Sequence, residues 1–142
     1  MLVAEILKTK GDAVFSIAPD ASLGEACAEL DRLRVGALVV CEGDKVVGVV
    51  SERDVVRAVA QGGAAALQRP VSDHMTAEVI FAEPSETTAV LMARMTDRRI
   101  RHLPVLRDKR LCGVVSIGDV VKRQIDEATR EAESLRTYIA AG

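Results

Sequence analysis

Short runs of aliphatic residues alternate along this chain with stretches in which apolar residues recur every three or four positions. Residues 37–50 contain two such runs around the polar residues 42–44, which predicts a β-hairpin. Residues 102–115 repeat the pattern around the polar segment 107–109. Strands this apolar are covered on both faces or nearly so, and we therefore expect an α/β (α+β) fold that buries both hairpins.

Amphipathic helices are predicted on both sides of each hairpin. Ser22 and Glu25 have the spacing of a capping box, so a helix is expected to begin there. The matching helix of the second half is expected over residues 88–98, and a closing helix follows each hairpin, from residue 52 and from residue 117. The apolar face of the first helix comprises Leu23, Ala26, Cys27, Leu30 and Leu33.

A short β-rich run precedes the first helix of each half. These runs are residues 14–17 and 79–81, and they end before Pro19 and Pro84. Each half is therefore predicted to have the element order β-α-β-β-α.

The two halves are copies of one unit. When the sequence is shifted by 65 residues, residues 19–57 align without a gap on residues 84–122, and 12 of the 39 positions are identical. Residues 3–7 match residues 71–75 if three residues are dropped near Gly11. A unit of about sixty residues is too small to cover such strands by itself, so we expect the two copies to pack as a pseudo-two-fold pair.

The predicted organisation has four parts. A first unit at residues 1–63 is joined by a linker, residues 64–70, to a second unit at residues 71–124, and a tail occupies residues 125–142. The tail has no counterpart in the first unit. Its apolar residues recur at helical spacing with charges between them, which predicts an amphipathic helix docked on another surface, such as a second subunit. These residues are Ile125, Ala128, Ala132, Leu135 and Ile139.

Composition excludes several classes of protein. The 142 residues are 49% hydrophobic with a net charge of −2, which excludes disorder. The pI of about 5.7 disfavours a general nucleic-acid binder, and an aromatic content of 2% excludes base stacking on a row of rings. Because no apolar run approaches the ~20 residues of a membrane span and no export signal is recognisable, we expect a cytoplasmic protein.

Cysteine and histidine give no indication of metal chemistry. Cys27, Cys41 and Cys112 lack Cys-x-x-Cys spacing and lie among apolar neighbours, so we expect three buried thiols. His74 and His102 share no ligand spacing with each other or with a cysteine, and no metal site is expected.

The clearest candidate for chemistry is a motif at the end of each hairpin. Ser51 and Asp54 follow the apolar run of the first hairpin, and Ser116 and Asp119 occupy the same positions in the second. A serine followed three residues later by an acid is a helix cap. The same geometry suits a nucleotide, since a helix N-terminus attracts phosphate and a carboxylate accepts hydrogen bonds from ribose hydroxyls. Both interpretations stay open, because a duplication copies a cap as readily as a site.

The second copy adds positive charge near this motif. Residues 94–123 contain nine Lys or Arg against three Asp. Arg101 and His102 lead into the second hairpin where the first copy has Gly36 and Ala37, so the two sites are expected to differ.

Pro104 interrupts the first apolar run of the second hairpin. It removes a backbone donor, so its strand is expected to be an edge or to pair on one side only. Backbone exposed at such an edge is suited to the hydrogen-bonding edge of a purine.

Together these motifs resemble a known family. The paired units look like a tandem pair of cystathionine-β-synthase-type (CBS) domains, the Bateman module, over about residues 2–124, and the tail is similar to that of stand-alone bacterial CBS-pair proteins. The resemblance rests on Val71-x-Asp73-x-Met75, Pro84, Ile100-Arg101-His102-Leu103-Pro104-Val105 and Gly113-Val114-Val115-Ser116-x-x-Asp119, and on Val3-x-Glu5-Ile6-Leu7, Pro19, Val35-Gly36-Ala37-Leu38-Val39-Val40 and Gly48-Val49-Val50-Ser51-x-x-Asp54.

The resemblance implies a non-catalytic regulatory module that senses an adenosine nucleotide (AMP, ATP or NAD) in a cleft between the two units. It also implies a homodimer and no catalytic cofactor. Asp54 and Asp119 would take ribose hydroxyls and Ser51 and Ser116 phosphate, with Arg101 and His102 beside the phosphates of the second site. Adenine would be framed by Ser16, Ile17, Ile80, Phe81 and the backbone of Leu103, Pro104 and Val105, with Ala37 as the first copy's equivalent of His102.

Other functions are weighed against this one. No nucleophile elbow, P-loop lysine or Gly-x-Gly-x-x-Gly motif is present in the sequence, so no enzyme is expected. The alternatives are a dimeric interaction scaffold without ligand binding, or a regulatory subunit of a separately encoded enzyme or transporter. Retention of both Asp54 and Asp119 argues against the scaffold. Neither a nucleic acid nor a membrane is an expected partner.

Overall fold

The computed structural model describes residues 1–10 and 14–141, so the three-residue difference between the copies near Gly11 lies outside the described residues. The first unit contains helix α1 (Val3–Lys10), strand β1 (Ser16–Ile17), helix α2 (Leu23–Leu33), strands β2 (Ala37–Glu42) and β3 (Lys45–Ser51), and helix α3 (Glu52–Gly62). β1 lies parallel to β2, and β2 pairs antiparallel with β3.

The second unit repeats this order with fewer strands. After 3₁₀ turns at Gly63–Gln68 and Val71–Asp73 come helix α4 (Thr88–Arg98), strands β4 (His102–Arg107) and β5 (Arg110–Ser116), and helix α5 (Ile117–Ala141). β4 and β5 form an antiparallel hairpin in which Pro104 lies opposite Val114. The predicted hairpins and helices are confirmed.

Helix α2 begins where its sequence predicts, but one residue of its predicted apolar face is exposed to solvent. The Glu25 amide donates to Ser22 Oγ at 3.1 Å and the Ser22 amide donates to Glu25 Oε2 at 3.3 Å, which completes the capping box. Leu23, Ala26 and Leu30 are buried, whereas Cys27 lies at the edge of that stripe and is exposed. The expectation of three buried thiols is therefore wrong, since Cys41 and Cys112 are also only partly buried.

The strand expected at residues 79–81 does not form, and Pro104 supplies the reason. In the first unit the Val39 amide donates to the Phe15 carbonyl at 3.1 Å, which holds β1 on β2. Pro104 is the repeat equivalent of Val39 and has no amide hydrogen to donate to Ile80. β4 therefore pairs with β5 along one side, as Pro104 predicts, and on its other side forms a single parallel bridge between Val105 and Ala82.

The N-terminal segment of each unit is buried in the hydrophobic core of the other unit. Val3, Ile6 and Leu7 of α1 are buried in the core of the second unit, among side chains of α4, β4 and β5. Val71, with the linker residue Ala66, is buried in the core of the first unit. This exchange brings the end of α1 to the second unit and residues 75–80 to the first.

Helix α5 continues without a break from the second unit into the tail. From residue 128 onward its side chains are exposed, including Leu135 at 64%, Tyr138 at 79% and Ile139 at 70%. Within residues 1–10 and 14–141, no helix is both long enough and apolar enough to cross a membrane.

Candidate functional site

A cleft of about 490 Å³ lies between the two units. That volume falls within the range of small-molecule sites. The first unit contributes the start of α3 and the residue before β2, and the second contributes residues 76–80 and the segment that enters β4. The lining residues used below are Gly36, Ser51, Glu52, Arg53, Asp54, Arg57, Thr76, Glu78, Ile80, Arg99, Arg101, His102 and Pro104.

The start of α3 is a capping box and also one wall of the cleft. Asp54 Oδ2 accepts from the Ser51 amide at 2.8 Å and from Ser51 Oγ at 3.1 Å, and the Asp54 amide donates to Ser51 Oγ at 3.4 Å. Asp54 Oδ1 meets only Arg57 Nη1, at 3.9 Å, among the residues that the structure describes. The carboxylate is thus fixed through one oxygen and has the other available to a ligand.

Another part of the lining is an apolar strip with a free backbone acceptor. Ile80 and Pro104 both line the cleft. Across the described ranges the Ile80 carbonyl accepts no hydrogen bond, because Pro104 cannot supply the one that Val39 supplies to Phe15 in the first unit. An apolar strip beside an unpaired carbonyl suits a flat heterocycle with an amino group.

An ion pair fixes the segment that carries Ile80. Arg94 Nη1 donates to the Phe81 carbonyl at 2.9 Å and to Glu86 Oε1 at 3.0 Å, while Arg94 Nη2 also contacts Glu86 Oε2. The hydrogen bond from Arg94 holds the pKa of Glu86 below its ordinary value, although burial opposes this. The segment is therefore held in place without strand pairing.

The rim of the cleft is rich in guanidinium groups. Arg53 and Arg57 extend from α3, and Arg99 and Arg101 flank the entrance to β4. Three carboxylates, those of Glu52, Asp54 and Glu78, line the same cleft, so the lining charges leave an excess of one positive charge. Guanidinium groups in this arrangement match the geometry of phosphate oxygens.

His102 of the second unit contacts the first unit at Gly36. Its ring packs on Gly36, where a Cβ would come within 3.1 Å of His102 Cε1 and Nε2. Burial lowers the pKa of His102, and the charge of Lys10 lowers it further, against the opposing influence of Asp119. The imidazole is therefore neutral at pH 7 and available as a donor or an acceptor.

The corresponding start of α5 has a different environment. Asp119 Oδ2 accepts from the Ser116 amide at 2.8 Å, and the Asp119 amide donates to Ser116 Oγ at 3.2 Å, so this cap is also formed. Here Lys10 Nζ donates to Asp119 Oδ2 at 2.7 Å and to the Val114 carbonyl at 2.8 Å. Burial alone would raise the pKa of Asp119, but the hydrogen bonds from Lys10 and the Ser116 amide lower it overall.

Some of the candidate residues predicted from the sequence line the cleft, and others do not. Arg101 and His102, expected beside Ser116 and Asp119, line the cleft of Ser51 and Asp54. They also adjoin the start of α5, where His102 pairs with Ser116 and the Ile117 amide donates to the Arg101 carbonyl at 2.8 Å. Ile80 and Pro104 also line the cleft. Leu103 and Val105 are fully buried in the second core, and the Pro104 carbonyl accepts from the Ala82 amide at 2.9 Å. Ser16, Ile17, Ala37, Phe81, Ser116 and Asp119 are not among the lining residues.

Sequence reasoning missed several lining residues. Thr76 and Glu78 carry no motif, and Arg53 and Arg57 look like ordinary exposed helix positions. Arg99 did carry a signal, because it belongs to the basic run at residues 98–102 that precedes the second hairpin.

Comparison with known proteins gives a consistent picture. The CBS domain family matches residues 3–61 and 71–126. A CBS-domain protein from Agrobacterium tumefaciens, ATU1752, is 45% identical with a TM-score of 0.86, over 87% of this chain and 99% of that one.

Two further solved structures contain adenosine compounds. The CBS domain protein PAE2072 from Pyrobaculum aerophilum, complexed with AMP, is 31% identical with a TM-score of 0.75, over 84% of this chain and 89% of that one. The CBS domain pair of protein MJ0100, in complex with 5′-methylthioadenosine and S-adenosyl-L-methionine, is 25% identical with a TM-score of 0.79, over 89% of this chain and 98% of that one.

Proposed function

Because this chain belongs to the CBS domain family, whose paired domains are generally regulatory and non-catalytic, we propose that it is a sensor of an adenosine nucleotide. The ligand occupies the cleft of Asp54. No catalytic step and no catalytic cofactor form part of this function. Ligand binding instead acts by changing how the two units pack against each other.

The observation that carries this proposal is the convergence of three unlike groups on one cleft. Asp54 offers a carboxylate oxygen to ribose hydroxyls, and Ile80 and Pro104 offer an apolar strip with a free carbonyl to adenine. Arg101 and the other rim guanidiniums offer donors to phosphate. These groups match the three chemical parts of a nucleotide, and all of them line the same cleft.

Among adenosine compounds, the rim charges favour ligands that carry phosphate. Four arginines line the cleft, and a phosphate or diphosphate pairs with them directly. S-adenosylmethionine has a positive sulfonium instead, which gains less from such a rim. AMP, ATP or NAD is therefore the expected class, and similarity to an AMP complex and to a methylthioadenosine complex supports the adenosine part.

A thermal-shift panel tests this function. AMP, ATP, NAD and S-adenosylmethionine are compared at equal concentrations, with guanosine monophosphate as a control for the base. A ligand at 100 times its Kd adds about 2.7 kcal/mol to the free energy of unfolding. A shift with one of the first three supports the sensor. Absence of any shift overturns it and favours the dimeric scaffold.

Homodimerisation is the second part of the proposal. Exposed apolar residues on α5 recur at alternating intervals of four and three, at positions 121, 125, 128, 132, 135 and 139. This is the spacing of a coiled-coil seam. Glu131 and Arg136 flank that seam five residues apart, the interval at which opposite charges meet between two parallel copies. The exposed part of α5, residues 128–141, is about as short as the isolated helices that are only marginally stable in water. A second copy is therefore the expected partner.

A reducing, cytoplasmic location completes the proposal. All three cysteines are free thiols, and Cys27 is exposed. Such thiols persist where the cell keeps them reduced. Cell fractionation with alkylation of free thiols tests this, and recovery in an oxidising compartment contradicts it. A regulated enzyme or transporter subunit is the expected downstream partner of such a sensor.

A further inference from the structure

The two helix starts of this molecule have the same cap but opposite electrostatic neighbours. At α5, the Lys10 ammonium contacts both Asp119 Oδ2, at 2.7 Å, and the Val114 carbonyl, at 2.8 Å. At α3, Asp54 has no such partner within the described part of the chain, and Arg57 approaches only to 3.9 Å. The carboxylate at the start of α3 is therefore accessible to a ligand, whereas the carboxylate at the start of α5 is already bonded to the Lys10 side chain.

The repeat shows why the difference is built into the sequence. Residues 3–7 align on residues 71–75, and the same register places Lys10 on Glu78. Glu78 lines the open cleft and has the same charge as Asp54, so it cannot pair with that carboxylate. Lys10 has the opposite charge to Asp119. The two sites therefore differ in the sign of the side-chain charge at this one repeat position.

We propose that Lys10 closes the second nucleotide position from within, so that each chain takes one adenosine nucleotide, in the Asp54 cleft. This inference rests on the proposed function and adds its stoichiometry and the residue that sets it. The Lys10 side chain spans from the Asp119 carboxylate to Val114, whose repeat equivalent, Val49, lines the open cleft. A ribose at Asp119 would have to displace an ammonium group that already holds two acceptors.

Surrounding charges reinforce this closure. The hydrogen bonds of Lys10 and the Ser116 amide keep the pKa of Asp119 low despite its burial, so the carboxylate stays ionised at pH 7. His102, which faces Lys10, Asp119, Glu52 and Arg101, has a lowered pKa and does not compete for the carboxylate as a cation. The Lys10 side chain is 39% exposed, so the pair can open without unfolding of α1.

Isothermal titration calorimetry with AMP on the full chain tests the inference. The parent is compared with Lys10→Met, which keeps the length of the side chain and removes its charge, and with Lys8→Met, a matched change of an exposed lysine on the same helix. We expect one equivalent of AMP per chain for the parent and for Lys8→Met, and a second equivalent for Lys10→Met. Two equivalents for the parent, or one for Lys10→Met, would overturn the inference while leaving the sensor intact. No uptake of AMP, ATP or NAD by any variant would instead overturn the proposed function.

A second measurement reads the contact itself. The carboxyl carbon of Asp119 is titrated by NMR in the parent and in both variants. Its midpoint should rise in Lys10→Met and stay unchanged in Lys8→Met. An unchanged midpoint in Lys10→Met would show that Lys10 does not hold Asp119, and would overturn the inference independently of ligand binding.

Discussion

At the scale of single residues, the proposed ligand site uses the carboxylate that also caps a helix. Asp54 fixes the start of α3 through Oδ2, while Oδ1 meets only the distant Arg57 guanidinium among the described residues, so the cap and the proposed site are compatible. The sequence motif predicts the cap with its residues. It does not predict that Arg101 and His102 also line the cleft of Asp54, because the motif says nothing about which segments of the second unit reach the start of α3.

The Glu86–Arg94 pair gives a residue-scale prediction for pH dependence. The hydrogen bond from Arg94 lowers the pKa of Glu86, so its contribution to stability is complete above the ordinary carboxyl pKa of 4.5 and is lost as the pH falls through the lower, folded value. Glu86→Gln should therefore cost about 1 kcal/mol of unfolding free energy at pH 7, and the gap from the parent should narrow as the pH falls below 4.5. Urea denaturation at pH 7 and pH 3.5 measures both values. A gap that is equal at the two pH values would refute the role of the ionised pair.

At the scale of elements, one proline decides whether the short strand before α4 exists. The β-rich composition of residues 79–81 predicts a strand, and the first copy has one at Ser16–Ile17. Local propensity could not show that the partner strand lacks the donor at Pro104. The same loss leaves the Ile80 carbonyl free in the cleft.

Pro104→Val restores that donor. The new amide should bond the Ile80 carbonyl as Val39 bonds Phe15, which removes the acceptor proposed for the amino group of adenine. AMP affinity should fall about threefold to tenfold, the worth of one hydrogen bond. Inosine monophosphate, which lacks that amino group, is the control ligand and should be much less affected. Equal losses for both ligands would contradict the assigned role of the Ile80 carbonyl.

The exposed half of α5 gives a second element-scale prediction. Leu135→Arg places an unpaired charge in the seam and should raise the dissociation constant of the dimer roughly tenfold or more. Thr137→Arg, on the opposite face of the helix, should leave it unchanged. Removal of the chain after Gln124 should act like Leu135→Arg. Sedimentation equilibrium measures all three. A monomeric parent at micromolar concentration would rule the dimer out.

At the scale of the whole molecule, the exchange of segments between the cores creates the cleft. α1 packs on the second unit and Val71 on the first, so residues 76–80 reach the start of α3. The repeat identifies both units and their element order from the sequence alone. It cannot reveal the exchange, because apolar residues such as Val3 and Val71 would fill either core equally well. The contact of Lys10 with Asp119 escapes prediction for the same reason.

Calorimetric titration of AMP into Asp54→Asn, beside the same change at the equivalent position, Asp119→Asn, tests the central claim most directly. Asparagine keeps a cap-competent oxygen, so both variants should lose less than about 1 kcal/mol of stability. Loss of a charged acceptor costs about 1.5–3 kcal/mol of binding energy, so Asp54→Asn should bind AMP roughly tenfold to a hundredfold more weakly than the parent. Asp119→Asn should bind AMP as the parent does. Parent-like affinity in Asp54→Asn, or the larger loss in Asp119→Asn, would contradict a nucleotide sensor that works through the Asp54 cleft.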